Sequence, residues 1–298
     1  MRYLTSYETS LSGPGKIEKK LERPKENFQD VKVIAFPSVT KENFALTDKN
    51  AEISSFPSVS NLSNITDGDK STGIRFPDED EFQISFKTKE PFTARSLTIQ
   101  IAETPLKANA LLEAKQENGD FIPISEFIID RSNIFLNVGF DPFAPVVISI
   151  PETTATEFKL TIKNAPARVG LTEVVLNGIP RIERYSEKTL AKMHQTPLPY
   201  WDAYMWSEQH ECDDKSLIVQ SDEIIDITRH MSDEGILAWD VPEGEWRVLR
   251  MGMTPTGVTN GPASPEATGL EVDKMSKKWV AEHFDRFIGK ILRRIPEA

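Results

Sequence analysis

Between residues 31 and 176 the sequence repeats short β-rich runs divided by turn signals, and this pattern restricts the architecture more than any other feature. The runs are VKVIAF, FQISF, SLTIQIA, FIPISEFII, NIFLNVGF, VVISI, EFKLTI and LTEVVL. In FQISF, strict alternation places Phe82, Ile84 and Phe86 on one side and Gln83 and Ser85 on the other, as a half-buried strand requires. Asp67-Gly68, Asn118-Gly119 and Asn177-Gly178 mark turns in which positive φ or an Asx hydrogen bond is easily accommodated. Many short strands at this spacing predict an antiparallel β-sandwich, because each sheet can bury its apolar face only against another. Phe76, Phe82 and Phe92 fit the core of such a sandwich better than an exposed aromatic platform. Asp67, Asp69 and Asp78 lie in turn-like sequence that matches no dedicated calcium loop, and they read as solvated turns.

The composition changes near residue 190. Trp201, Trp206, Trp239, Trp246 and Trp279 all lie beyond it, as do His194, His210, His230 and His283. This shift divides the chain into a lead-in over residues 1–48, a galactose-binding-like sandwich over 49–180 and a different region over 181–298. In the last region KSLIVQ, GILAWDV and EWRVLRMGMT read as strands, with Pro242-Glu243-Gly244-Glu245 as a tight turn between the last two. Ser276 is a plausible N-cap, and Val280, Phe284, Phe287, Ile288, Ile291 and Ile295 then repeat at helical spacing, a stripe that requires cover. Strand, polar loop and amphipathic helix in this order predict a βα unit of an α/β fold, where ligand-binding loops leave the strand ends.

Composition excludes several functions. The 298 residues carry a formal net charge of −11, which disfavours nucleic acid, and no apolar run is long enough to insert into a membrane. Cys212 is the only cysteine, so no intrachain disulfide and no CxxC metal site can form. No GxGxxG or GxxxxGK[ST] spacing supports a nucleotide cofactor. The N-terminal sequence lacks the apolar core of an export signal, which as written predicts a cytoplasmic chain.

Two stretches concentrate groups suited to a polyhydroxylated ligand. Around TGVTNGPASPEATGLEVDKMS, glycines and prolines shape an irregular loop that carries Asn260, Glu271 and Asp273. These side chains could bond sugar hydroxyls, contribute to a calcium site, or cap the following helix. In the other stretch, Trp206 and Glu208 pair an aromatic face with a carboxylate, beside Trp201, Asp202 and His210.

The runs YWDAYMWSEQH, ILAWDVPEGEWRVLRMGMTPTG and NGPASPEATGLEVDKMS, with the HF of AEHF, resemble glycoside hydrolase family 106, the α-L-rhamnosidase-type enzymes. The N-terminal SGPGKIEKKLERPKENFQDVKVIAFPS resembles the same family where its catalytic barrel passes into β-rich sequence. The resemblance implies an inverting, calcium-dependent hydrolase of terminal α-L-rhamnosyl linkages, from a family often exported to the periplasm or cell surface. It also implies that residues 181–298 are part of a TIM-type barrel. A complete barrel needs about 250 residues, so missing segments of the same catalytic domain would be required as partners, and both principal carboxylates are expected there. Trp206, Glu208, Asn260, Glu271 and Asp273 are the candidate substrate contacts. The competing expectation is a non-catalytic carbohydrate-binding or structural module.

Overall fold

The computed structural model describes residues 2–39, 44–132, 143–185, 209–255, 257 and 259–295. Its strands are β1 (Arg2–Lys20), β2 (Gln29–Pro37), β3 (Glu52–Phe56), β4 (Ile74–Arg75), β5 (Glu81–Ile101) and β6 (Leu106–Lys115), then β7 (Phe121–Arg131), β8 (Val146–Lys163), β9 (Gly170–Asn177), β10 (Ile225–Asp226) and β11 (Ile236–Pro255). Among the described residues, helix α1 (Lys277–Phe284) continues through a π-helical segment, Asp285–Gly289, into a last α-helical turn, Lys290–Leu292.

β5 and β8 organise the sandwich. The first half of β5, Glu81–Lys87, pairs with β3 on one side and with Glu157–Lys163 of β8 on the other. Its second half, Ser96–Ile99, pairs with Val146–Ser149 of β8 and with β9. Between the halves the register slips at Lys87/Phe92 and again at Ala94/Ser96. Such irregularities let one strand bend across a corner and serve both layers. The parity of burial changes with them: Phe82, Ile84 and Phe86 are buried before the slip, and Leu97, Ile99 and Ile101 after it. FQISF and SLTIQIA, read as separate strands, are thus two ends of one, as are VVISI and EFKLTI in β8.

The resulting core includes Phe82, Phe86, Leu97, Leu112, Phe158, Leu160 and Leu176. Phe76 stacks edge-on against Phe82 with centroids 5.6 Å apart, and Phe92 does so against Phe158 at 6.3 Å. Both arrangements are core packing, since edge-to-face pairs satisfy the ring quadrupoles away from water.

The second sheet runs in the order β1-β11-β2-β10, and all its pairs are antiparallel. β11 is the centre. GILAWDV and EWRVLRMGMT do not fold back on each other around Pro242–Glu245; both pair with β1 as one strand. Gly13 faces Gly244 while Gly15 faces Val241, so β11 carries an extra residue there. That bulge reverses the alternation and keeps Leu237, Trp239 and Val241 on the same buried face as Trp246 and Val248. A side chain at Gly13 would collide with the Pro242 carbonyl, so glycine is required at this close approach. Trp239 and Trp246 then meet edge-to-face at 5.6 Å, and the Trp246 indole N–H donates to the Pro242 carbonyl at 3.2 Å.

Among the described residues of 181–298, the expected TIM-type segment is not evident. The described residues contain no parallel strand pair. β11 is followed in sequence by loop and helix, as a βα unit would be, but its neighbours run antiparallel and come from the N-terminal forty residues. KSLIVQ is likewise not a strand. Asp214 accepts from the Ser216 N–H at 3.0 Å and its hydroxyl at 2.6 Å, capping a 3₁₀ turn at Lys215–Leu217.

Ser276 caps α1, its hydroxyl accepting from the Trp279 N–H at 3.4 Å. The apolar stripe beyond it is exposed: Val280, Phe284, Phe287, Ile288, Ile291 and Ile295 all remain open to solvent. No helix among the described residues is long and apolar enough to cross a membrane. The run NIFLNVGF lies outside the described residues.

Candidate functional site

The loop after β11 is closed by its own polar groups. Thr259 bridges to Leu270, and the Asn260 N–H donates to the Gly269 carbonyl at 2.8 Å. The Asn260 side chain completes the clasp, accepting from the Gly269 N–H at 2.7 Å and donating to the Ala267 carbonyl at 3.0 Å. Within the clasp, the Thr268 hydroxyl donates to the Ser264 carbonyl at 2.9 Å. Asn260 consequently spends one amide donor and its carbonyl oxygen on main chain, and its first role is to shape the loop.

Asn260→Ala should leave the sheets intact and open this clasp. Hydrogen exchange at the Gly269 amide is expected to quicken roughly fivefold, the factor carried by a net hydrogen bond of about 1 kcal/mol. Unchanged exchange at Gly269, measured by mass spectrometry, would show that the backbone pairing alone holds the loop.

Glu271 and Asp273 follow the clasp but do not converge. Glu271 pairs with Lys274 at 2.8 Å, and this partner holds its carboxyl below the usual range for glutamate. Asp273 accepts from the Met275 N–H at 3.1 Å, while its carbonyl accepts from the Ser276 N–H at 3.0 Å. Both side chains are exposed and serve the entry into α1. Trp206 and Glu208 lie outside the described residues, though their neighbour Gln209 accepts from the Glu183 N–H at 2.8 Å.

The sandwich carries two open clefts on either side of the β5 excursion at Thr88–Pro91. One, of about 750 Å³, is lined by Lys115, Glu117, Asn118, Thr153, Thr154 and Thr156. The other, of about 660 Å³, is lined by Asp48, Asn50, Glu52, Lys87, Lys89 and Glu90 among others. Their hydroxyl, amide and charged groups suit a hydrated polar ligand. Neither is enclosed, as a pocket that buries most of its ligand and holds reacting groups in place would be.

The carboxylate in the most unusual surroundings is one that the sequence reading passed over. Glu173 lies in β9, between the fully buried Leu171, Val174 and Leu176, and is only 7% exposed. Its signal in the sequence is a charge within the otherwise apolar run LTEVVL. Burial pushes its carboxyl above the usual range for glutamate; the charges of Asp67 and Asp69 push the same way, while the Gly68 N–H and Lys70 oppose them.

Among the described residues, no group of three or more His, Cys, Asp or Glu side chains forms a metal cluster. Glu271 and Asp273, taken up by Lys274 and the helix entry, do not fit as the core of a calcium site.

The sequence model of glycoside hydrolase family 106, described as alpha-L-rhamnosidase, matches residues 1–298. The chain belongs to this family. A rhamnosidase from Novosphingobium sp. PP1Y has a similar fold, with a TM-score of 0.61 and 23% identity over 97% of this chain and 27% of that one. A protein of Formosa agariphila, provisionally named a beta-glucuronidase, is 50% identical over 78 residues, 26% of this chain and 7% of that protein. The family member described here thus spans about a quarter of the rhamnosidase structure and a smaller share of the Formosa protein. Its antiparallel sheets match a region of an established glycosidase fold, and its family is one of hydrolases.

Proposed function

We propose that this chain is the β-sheet scaffold of an inverting α-L-rhamnosidase, acting on terminal α-L-rhamnosyl linkages of plant or bacterial glycans within a larger catalytic assembly. The family match over residues 1–298 carries this reading. Inversion needs one carboxylic acid to protonate the leaving oxygen and one carboxylate to activate water, about 6.5–9.5 Å apart across the scissile bond. Glu271 is ill-suited to the acid role: Lys274 favours its ionised form, whereas a general acid needs its pKa raised. It suits acceptance of sugar hydroxyls instead. Asn260 and Asp273 would shape and flank that edge of the pocket, and Trp206 with Glu208 would supply an aromatic face and a second acceptor. Calcium, if the assembly requires it, would draw ligands from other segments of the catalytic domain.

The test uses 4-nitrophenyl α-L-rhamnoside. The 298-residue chain alone is expected to release no rhamnose above background, because the reacting groups must be preorganised in a complete pocket. A family 106 polypeptide that contains this chain together with the rest of the catalytic domain is expected to release β-L-rhamnose first, as followed by NMR. Turnover by the isolated chain at a comparable rate would sink the scaffold reading, and initial release of the α-anomer would sink inversion. A non-catalytic module is favoured by the open polar clefts of the sandwich; glycan binding without hydrolysis in the longer polypeptide would establish it.

A further inference from the structure

Two asparagine–glycine pairs, Asn118-Gly119 and Asn177-Gly178, share a reactive sequence and the same local turn, yet the fold treats them oppositely. In each, the asparagine side-chain oxygen accepts from the amide two residues on, that of Asp120 at 3.0 Å and that of Ile179 at 2.8 Å. Such a bond folds the side-chain carbonyl carbon back toward the glycine nitrogen, the atom able to attack it. Glycine has no side chain to obstruct that attack. Asp67-Gly68, the third turn pair, lacks the side-chain amide that would leave.

Asn177 is shut off on every side. It is buried in β9, paired with Ser96 of β5 and bridged to Ala45. The Gly178 N–H donates to the Phe44 carbonyl at 2.7 Å, and a side chain on Gly178 would lie 3.1 Å from the Thr93 carbonyl, so little room is left for water or base. Asn118 instead stands at the tip joining β6 to β7, where residues 116–120 are all exposed. Gly119, at φ 93°, has nothing within 4 Å of where a side chain would project. Its N–H donates across the tip to the Gln116 carbonyl at 2.9 Å, a bond that opens by local fraying without disturbing the sandwich.

We propose that Asn118 is a site of spontaneous covalent modification, at which the folded chain converts its own turn to aspartate and isoaspartate. The Gly119 nitrogen, once hydroxide has taken its proton, bonds to Cγ of Asn118, and Nδ2 leaves as ammonia with a proton from water. Water then opens the five-membered imide at either carbonyl, giving aspartate or the isomer whose main chain runs through the side-chain carboxyl. Nothing is oxidised or reduced: water is consumed and ammonia released. The product fits the turn poorly. Asn118 Nδ2 donates to Asp120 Oδ2 at 2.8 Å, and after conversion two carboxylates meet there with no proton between them. The isomer also adds an atom to the main chain of a tip closed by the Gln116 N–H on the Asp120 carbonyl at 2.8 Å. The hairpin therefore loosens at its end, and a new negative charge joins Gln116, Glu117 and Thr154 on the rim of the cleft of about 750 Å³. This chemistry is independent of the hydrolysis proposed above.

The experiment incubates the intact chain at physiological temperature, at pH 6 and at pH 8, and follows both pairs by peptide mass spectrometry, with an isoaspartyl methyltransferase labelling the isomer. In the folded chain Asn118 should gain one mass unit roughly tenfold or more faster than Asn177, because a buried strand opens far more rarely than an exposed tip. Conversion should quicken from pH 6 to pH 8, since the attacking nitrogen must first shed its proton. In urea, where the fold protects neither pair, the two rates should become similar. Gly119→Ala should slow the loss of Asn118 by placing a methyl group beside the attacking nitrogen. Asn118→Asp, which imitates one product, should speed hydrogen exchange at the Gln116 amide roughly fivefold, as loss of the bond that closes the tip requires. Equal rates at the two pairs in the folded chain would overturn the proposal, as would conversion of both in urea with none at Asn118 in the folded chain. Exchange at Gln116 that is the same in Asn118→Asp and the parent would likewise sink the loosening of the hairpin.

Discussion

Asp30→Ala is expected to lower the unfolding free energy by about 3–5 kcal/mol, a drop that urea denaturation resolves readily. Arg250 is 1% exposed and reaches Asp30 with two nitrogens, Nε at 2.6 Å and a terminal guanidinium nitrogen at 2.7 Å. The other terminal nitrogen donates to the Leu21 carbonyl, and the ring of Phe28 lies 5.6 Å from the guanidinium carbon. Removing Asp30 strands this cation inside the sheet, where its desolvation is no longer offset. The opposite deletion should cost less. Asp30 is 31% exposed, so in Arg250→Met it can recover water while the methionine stem fills the apolar space. Equal losses from the two substitutions would contradict this asymmetry and with it the assignment of Arg250 as the desolvated partner.

Phe158→Ala is expected to cost about 3–5 kcal/mol, the usual range for a fully enclosed ring whose site can only partly collapse. Phe158 is completely buried in β8, opposite Phe86 of β5 and Ala114 of β6, with Phe92 edge-on beside it. It sits where the two long strands begin to cross from one layer to the other. The matched control is Phe284→Ala on the exposed helix stripe, which should change stability by no more than about 0.5 kcal/mol. A Phe158→Ala midpoint indistinguishable from that control would mean the sandwich core is not packed around this ring.

Much of the sandwich was legible because burial on one face writes a period of two into the sequence. FQISF shows this directly, whereas β9 is buried at nearly every residue and carries no such period. What alternation cannot reveal is whether an interruption reverses the chain or merely bends it. Thr88–Pro91 and Pro242–Glu245 have the residues of hairpin turns, yet both are excursions inside one strand, fixed by partners elsewhere in the chain. The barrel expectation failed for a related reason. Strand, loop and helix do succeed one another after Ile236, but strand direction depends on the neighbour, and β1 lies over two hundred residues away.

The site was less legible. Asn260 was singled out as a candidate substrate contact, and its hydrogen bonds close the loop. Glu271 and Asp273 lie two apart in sequence without converging in space. Glu173 gave only the weak signal of one acid in an apolar strand.

The pairing of Arg2–Lys20 with Ile236–Pro255 also sets an order of events during synthesis. The first strand leaves the ribosome with its edge open and must wait for more than two hundred further residues before its partner exists. The sandwich, whose strands all lie in between, can condense in that interval. The waiting strand alternates outward charges such as Glu8, Lys16, Glu18 and Lys20 along its length. Those charges discourage premature pairing with another nascent chain until the clasp can close.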